Sequence, residues 1–134
     1  MKNSICFVLC ALVLSGSVQA QSLKEMSDAE QLGMMAGLAL ACGGGKKLDD
    51  YELISARILA NEAPTDTEEN RQARIYAQAK WDAMQRAKKD TKTDCREVMA
   101  HFNKLPIFNS IVYGDGSVKL PDGVWSKPIR PVKR

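Results

Sequence analysis

The sequence predicts an all-α protein of about four helices closed by one disulfide, with a C-terminal extended, hairpin-like tail. Three observations carry this. Four segments with apolar residues at helical spacing each open on Ser, Thr or Asp followed three residues later by Glu, the signature of a capping box. Two cysteines, Cys42 and Cys95, remain once the first twenty residues are set aside. After Lys104 the composition turns to prolines, Asp-Gly turns and large aromatics.

The first twenty residues read as a secretory signal. Lys2 supplies the positive start, Ile5 to Leu14 form an apolar core of ten residues, and Val18 and Ala20 offer a small-residue cleavage site. Ten apolar residues are too few to span a bilayer, which takes about 20. Cys10 lies inside that apolar core, where lipid attachment is not expected. The expected organisation is a cleaved signal over residues 1–20, a disulfide-linked helical domain over 21–104, and an aromatic, proline-rich tail over 105–134 that packs on the domain. The chain carries 19 basic and 16 acidic residues and one histidine, a net charge of +3. Such a balance argues against a nucleic-acid partner and for peripheral membrane contact at most.

The first helix is predicted from about Asp28 to Cys42, opened by the Ser27/Glu30 box. Its small residues Gly33, Gly37 and Ala41 recur every four positions and line one stripe, with Leu32, Met35, Ala36 and Leu40 around it. Glycine costs about 1 kcal/mol per residue against alanine in a helix, so the stripe points to close packing of another backbone or to self-association. Gly43 to Gly45 stop the helix. Asp49 and Glu52 are expected to cap the second, which runs to about Asn61 with Tyr51, Ile54 and Ile58 on one face. Pro64 breaks the chain, and Thr65 with Glu68 starts a third helix from about Asp66 to Lys89. Acids at its start and bases at its end suit the helix dipole. Ala73, Tyr76, Ala77, Ala83, Met84 and Ala87 make its face. A fourth helix starts around Asp94, with Glu97 as box partner and Cys95, Val98, Met99 and Phe102 pointing inward.

Cys42 thus ends the first helix and Cys95 begins the fourth, and in an exported chain an even pair predicts a bridge. A loop of this length, once closed, stabilises by roughly 4 kcal/mol, against the ~5–15 kcal/mol typical of a domain. In the tail, "SIVYGDGSVKL" reads as two short strands around a turn. "PDG" turns the chain again before Val124 and Trp125, and the last nine residues, with Pro128 and Pro131, are expected to be extended.

Searching for chemistry excludes more than it finds. "GGGKK" lacks the first glycine and the Ser/Thr of a phosphate-binding loop and follows a helix, not a strand. One histidine, His101, excludes sites that need two, and six residues from Cys95 it falls on an opposing helix face. Asp49/Asp50 and Glu68/Glu69 are read as first-turn acids, and Glu62 as a loop residue without a partner for glycoside hydrolysis. "DGSVKLPDG" has too few acids for a calcium loop. No catalytic, cofactor or metal residue is assigned. Phe108, Tyr113 and Trp125 remain: they either cover the helical core or form a partner-binding edge.

The stretches "GLALACG", "YELISARI" and "FNKLPIFNS" through "GDGSVKLPDGVW" resemble a group of small periplasmic proteins of intracellular gammaproteobacteria associated with Dot/Icm-type (type IVB) secretion and intracellular replication. In architecture alone, a signal, one long-range disulfide and a small helical body are also similar to the small periplasmic acid-stress chaperones. Neither resemblance carries site residues over. Together they imply a non-enzymatic periplasmic accessory protein that contacts an envelope or secretion-system complex, with an acid-stress chaperone as the alternative; the small-residue stripe, read as a self-association surface, would make it a homodimer.

Overall fold

The computed structural model describes residues 26–131; the secretory signal expected over residues 1–20 lies outside them. Four helices, α1 (Asp28–Ala41), α2 (Gly45–Glu62), α3 (Asp66–Lys89) and α4 (Cys95–Phe102), are followed by a 3-10 turn (Pro106–Asn109). Three short strands, β1 (Ile111–Val112), β2 (Val118–Lys119) and β3 (Trp125–Ser126), then form an antiparallel sheet in the order β1-β2-β3.

Local chemistry explains most helix ends. Ser27 Oγ accepts from the Glu30 amide at 3.3 Å while Glu30 accepts from the Ser27 amide at 3.2 Å, closing the box that starts α1. At its far end the Gly44 amide reaches Ala39 O at 2.8 Å and the Gly43 amide reaches Leu40 O at 3.2 Å. This double return needs a left-handed residue at position 43, where φ is +94°. Thr65 Oγ1 accepts from Glu68 N at 3.1 Å at the start of α3, and Asp94 caps α4 through Arg96 N at 2.9 Å.

The second helix differs from expectation. It begins at Gly45, so Asp49 is an interior residue rather than a cap, and Asp49 and Asp50 lie beyond the first turn. Two features extend it backward. Lys46 pairs with Asp50 at 3.2 Å across one turn, and Leu48 is buried in line with Tyr51.

Helix α1 lies against α3 along the small-residue stripe. A Cβ on Gly33 would run into the carbonyl oxygen of Tyr76, and one on Gly37 into that of Lys80, with Ala83 Cβ only 2.8 Å away. The two helices therefore run in the same direction, α2 returning between them, and backbone meets backbone with no side chain interposed. This contact selects the face of α3. Ala83, Met84 and Ala87 are buried and Tyr76 half-buried, whereas Ala73 and Ala77, expected on that face, are exposed. Ala73 instead lines an open cleft of about 160 Å³ with Ala56, Leu59 and Ala60 of α2.

The core centres on Ala36, Ala39, Leu48, Tyr51 and Phe102, with Leu32, Met35, Tyr76, Met99, Leu105, Ile107 and Phe108 packed around it. Tyr51, Phe102 and Phe108 form a ring cluster with centroids 5.3 to 6.2 Å apart. Burial pushes the Tyr51 hydroxyl up to about 12, and it donates to Leu32 O at 3.0 Å. Cys42 and Cys95 are joined across 53 residues, Cα to Cα 5.2 Å. Cys95 does not point inward as expected: it is the exposed first residue of α4, and the bridge itself ties that helix end to α1 where apolar cover is absent.

Candidate partner-binding face

The tail folds into the sheet through two turns of similar chemistry. In the first, Asp115 Oδ1 accepts from Ser117 N at 2.9 Å and Tyr113 N donates to Ser117 O at 2.9 Å. In the second, Asp122 Oδ1 accepts from Val124 N at 3.0 Å and Leu120 N donates to Val124 O at 2.8 Å. Each aspartate stands in for a backbone acceptor, and each is followed by a glycine at positive φ. The hydrogen bond from Ser117 N holds the Asp115 carboxyl below its usual range, with Lys127 a minor contributor.

Register sorts the strand residues into two faces. Ile111 pairs with Lys119 and Lys119 with Trp125, while Val112 pairs with Val118 and Val118 with Ser126. Alternation along the strands adds Tyr113 and Lys127 to the first set. The inner face is anchored. Val118 is fully buried, and the side chain of Asn61, 3 % exposed at the end of α2, donates to Gly116 O at 2.9 Å and to Ser126 O at 3.0 Å. Beyond β3, Ile129 N reaches Asn61 O at 3.3 Å. Arg130 donates to Ala63 O at 3.1 Å and makes ion pairs with Asp66 and Glu69. Within the last nine residues, expected to be extended, Ser126 belongs to β3, and Ile129 and Arg130 clasp the α2–α3 corner, because Asn61 and Ala63 offer backbone partners there.

The outer face carries Ile111, Tyr113, Lys119, Trp125 and Lys127, all exposed. Tyr113 and Trp125 lie with ring centroids 5.2 Å apart, at 41 % and 43 % exposure. Lys119 and Lys127 place their Nζ atoms 5.8 and 5.6 Å from the Trp125 ring centre. Of the three aromatics singled out from sequence, the fold brings together Tyr113 and Trp125. Phe108 does not join them: the 3-10 turn directs its ring into the Tyr51–Phe102 cluster, with Lys47 Nζ 4.3 Å over it. Lys119 and Lys127 went unmarked in the sequence, and the place of Lys127 on this face becomes readable only once β3 is recognised as a strand.

Among the described residues no group of three His, Cys, Asp or Glu side chains could hold a metal ion, and no helix is long and apolar enough to cross a membrane. His101 is exposed in the last turn of α4. Glu62 is the last residue of α2, not a loop residue, and lines a cleft of about 260 Å³ with Asp28 and Glu68. Burial pushes its carboxyl above the ordinary range, and the Asp28 charge acts in the same direction. Glu68 is held down to about 2 by Arg71, which grips it at 2.9 and 2.7 Å, and by Gln72. Its oxygens are occupied by these donors. An apolar groove of about 510 Å³ runs between α1 and α3 beside Met34, Leu38 and Arg86.

No family model, no curated protein and no solved structure matches the chain.

Proposed function

We propose that the chain is a non-enzymatic accessory protein of the bacterial periplasm that works by protein–protein contact with an envelope or secretion-system complex. The observation that supports this best is the outer sheet face: a stacked Tyr113–Trp125 pair, half in solvent, on a sheet whose inner side is tied down by Asn61 and Val118. Aromatic anchors held in place before binding lose little freedom on association, which is what concentrates binding energy in a few residues. The Cys42–Cys95 bridge suits an oxidising compartment.

The test is capture from periplasmic extract with the whole chain and with Tyr113→Ala/Trp125→Ala. Removing residues 105–134 is the wrong control, because it also strips Leu105, Ile107 and Phe108 from the core. An envelope protein retained by the natural chain and lost by the double variant is expected. Equal capture by both sinks the reading.

A second reading, holding of unfolded clients in acid, draws support from the Arg130 clasp on Asp66 and Glu69. Loss of these carboxylate charges in acid would break the clasp and uncover the inner sheet face. Binding of a hydrophobic dye should then rise from pH 7 to pH 3. A chain that stays inert to the dye at pH 3 ends that idea.

A further inference from the structure

Building on the partner-contact reading, we infer that the segment docking on the outer sheet face is acidic. An aliphatic or aromatic side chain of the partner seats on the Tyr113–Trp125 pair, and flanking carboxylates meet Lys119 and Lys127. The charge pattern carries this. In the helical body and at the clasp, Lys80 is paired with Glu52, and Arg130 with Asp66 and Glu69. On the sheet face, by contrast, Lys119 and Lys127 have Trp125 as neighbour and form no ion pair within the described residues. The two nearby acids, Asp115 and Asp122, are engaged with the turn amides of Ser117 and Val124. Asp115, in its turn, feels Lys127 only weakly, so the outer face itself carries two ammonium groups and no acid, a charge that an acidic partner complements.

An exposed sheet surface gives a small molecule little enclosure, and the clefts described above are lined by other residues. A bilayer is the poorer fit as well. Two lysines are too few for lasting capture by anionic lipid, which takes a cluster of four or more. Aromatic anchors within a polar rim are instead the composition of a protein interface.

The full-length chain, produced in its own cells with a photo-reactive residue at Ile111, tests this directly. The crosslinked peptide is identified by mass spectrometry. The expected adduct is a protein segment of net negative charge. Its yield should fall about tenfold in Lys119→Glu/Lys127→Glu, and likewise when salt is raised to about 0.5 M, where the screening length is only a few ångströms. Far-UV circular dichroism and an intact Cys42–Cys95 bridge check the fold. Lys119→Gln/Lys127→Gln serves as the milder variant, with a smaller loss in the same direction. A neutral or basic crosslinked segment, or full yield in both lysine variants while Trp125→Ala lowers it, overturns the acidic partner and leaves the contact face standing. No adduct, or yields that ignore Trp125→Ala too, overturn both. Co-sedimentation with phosphatidylglycerol but not phosphatidylcholine vesicles, lost in the lysine variants, overturns the inference in favour of a membrane surface.

Discussion

The two ends of this molecule are held by different physics. In the helical body, α1 meets α3 through glycine against carbonyl, and Tyr51, Phe102 and Phe108 fill the centre. A disulfide ties α1 to α4. At the other end the three-stranded sheet contributes one fully buried side chain, Val118, and is otherwise latched by the Asn61 carboxamide and the Arg130 ion pairs. Apolar close packing is insensitive to salt and depends on volume. A polar latch depends on geometry and, where carboxylates take part, on pH. The difference predicts a body that unfolds as a unit and a sheet that can come loose while the body stays folded.

The strongest way to break the body is to remove its bridge. Cys42→Ser/Cys95→Ser should lower stability by roughly 4 kcal/mol, since the open chain regains the freedom of a long loop. Urea unfolding followed at 222 nm measures this, and a loss below 1 kcal/mol would refute the bridge as a main constraint. Next comes Gly37→Ala. Helix propensity alone favours alanine by about 1 kcal/mol, yet the added methyl meets the Lys80 carbonyl and Ala83. Overpacking of this kind costs about 1–3 kcal/mol, so the net sign should be destabilising; a rise in the unfolding midpoint would show that α1 and α3 can part without cost.

The contrast sharpens at the latch. Asn61→Ala leaves Gly116 O and Ser126 O without their donor, a loss of about 1–3 kcal/mol. It should appear as faster amide exchange across β1 to β3 with helical circular dichroism unchanged. Uniform loss of protection over α1 and α3 as well would mean the two regions are one cooperative unit.

The smallest effect belongs to Glu62. Its carboxyl is raised in the folded state, chiefly by burial and then by Asp28, so the folded chain holds this proton more tightly than the unfolded chain does. The stability that follows is fully present below the ordinary glutamate range and is lost as pH rises through the raised value. Glu62→Gln removes the loss. The variant should be slightly more stable than the natural chain at pH 7 and indistinguishable from it near pH 3; the reverse ordering at pH 7 would contradict the burial argument.

Legibility from sequence followed the range of the interaction. Ser27 with Glu30, Thr65 with the Glu68 amide, and Asp94 with the Arg96 amide act within three residues, and these ends were readable. So was the pairing of Ile111–Val112 with Val118–Lys119 around its turn. The start of α2 was misread because Asp49 offers a sound cap locally, whereas the burial of Leu48 in the core, with the Lys46–Asp50 pair, extends the helix back to Gly45.

What the sequence by itself determined is the set of four helices, the hairpin and the presence of a cysteine pair, because caps, periodicity and turns are decided between near neighbours. The tertiary structure alone decided which aromatics would be buried and which shown. It sent Phe108 to the Tyr51–Phe102 cluster and left Tyr113 and Trp125 outside. It also recruited Asn61 to partners 55 and 65 residues away. A side chain's burial depends on what long-range folding brings against it, and no local pattern encodes that.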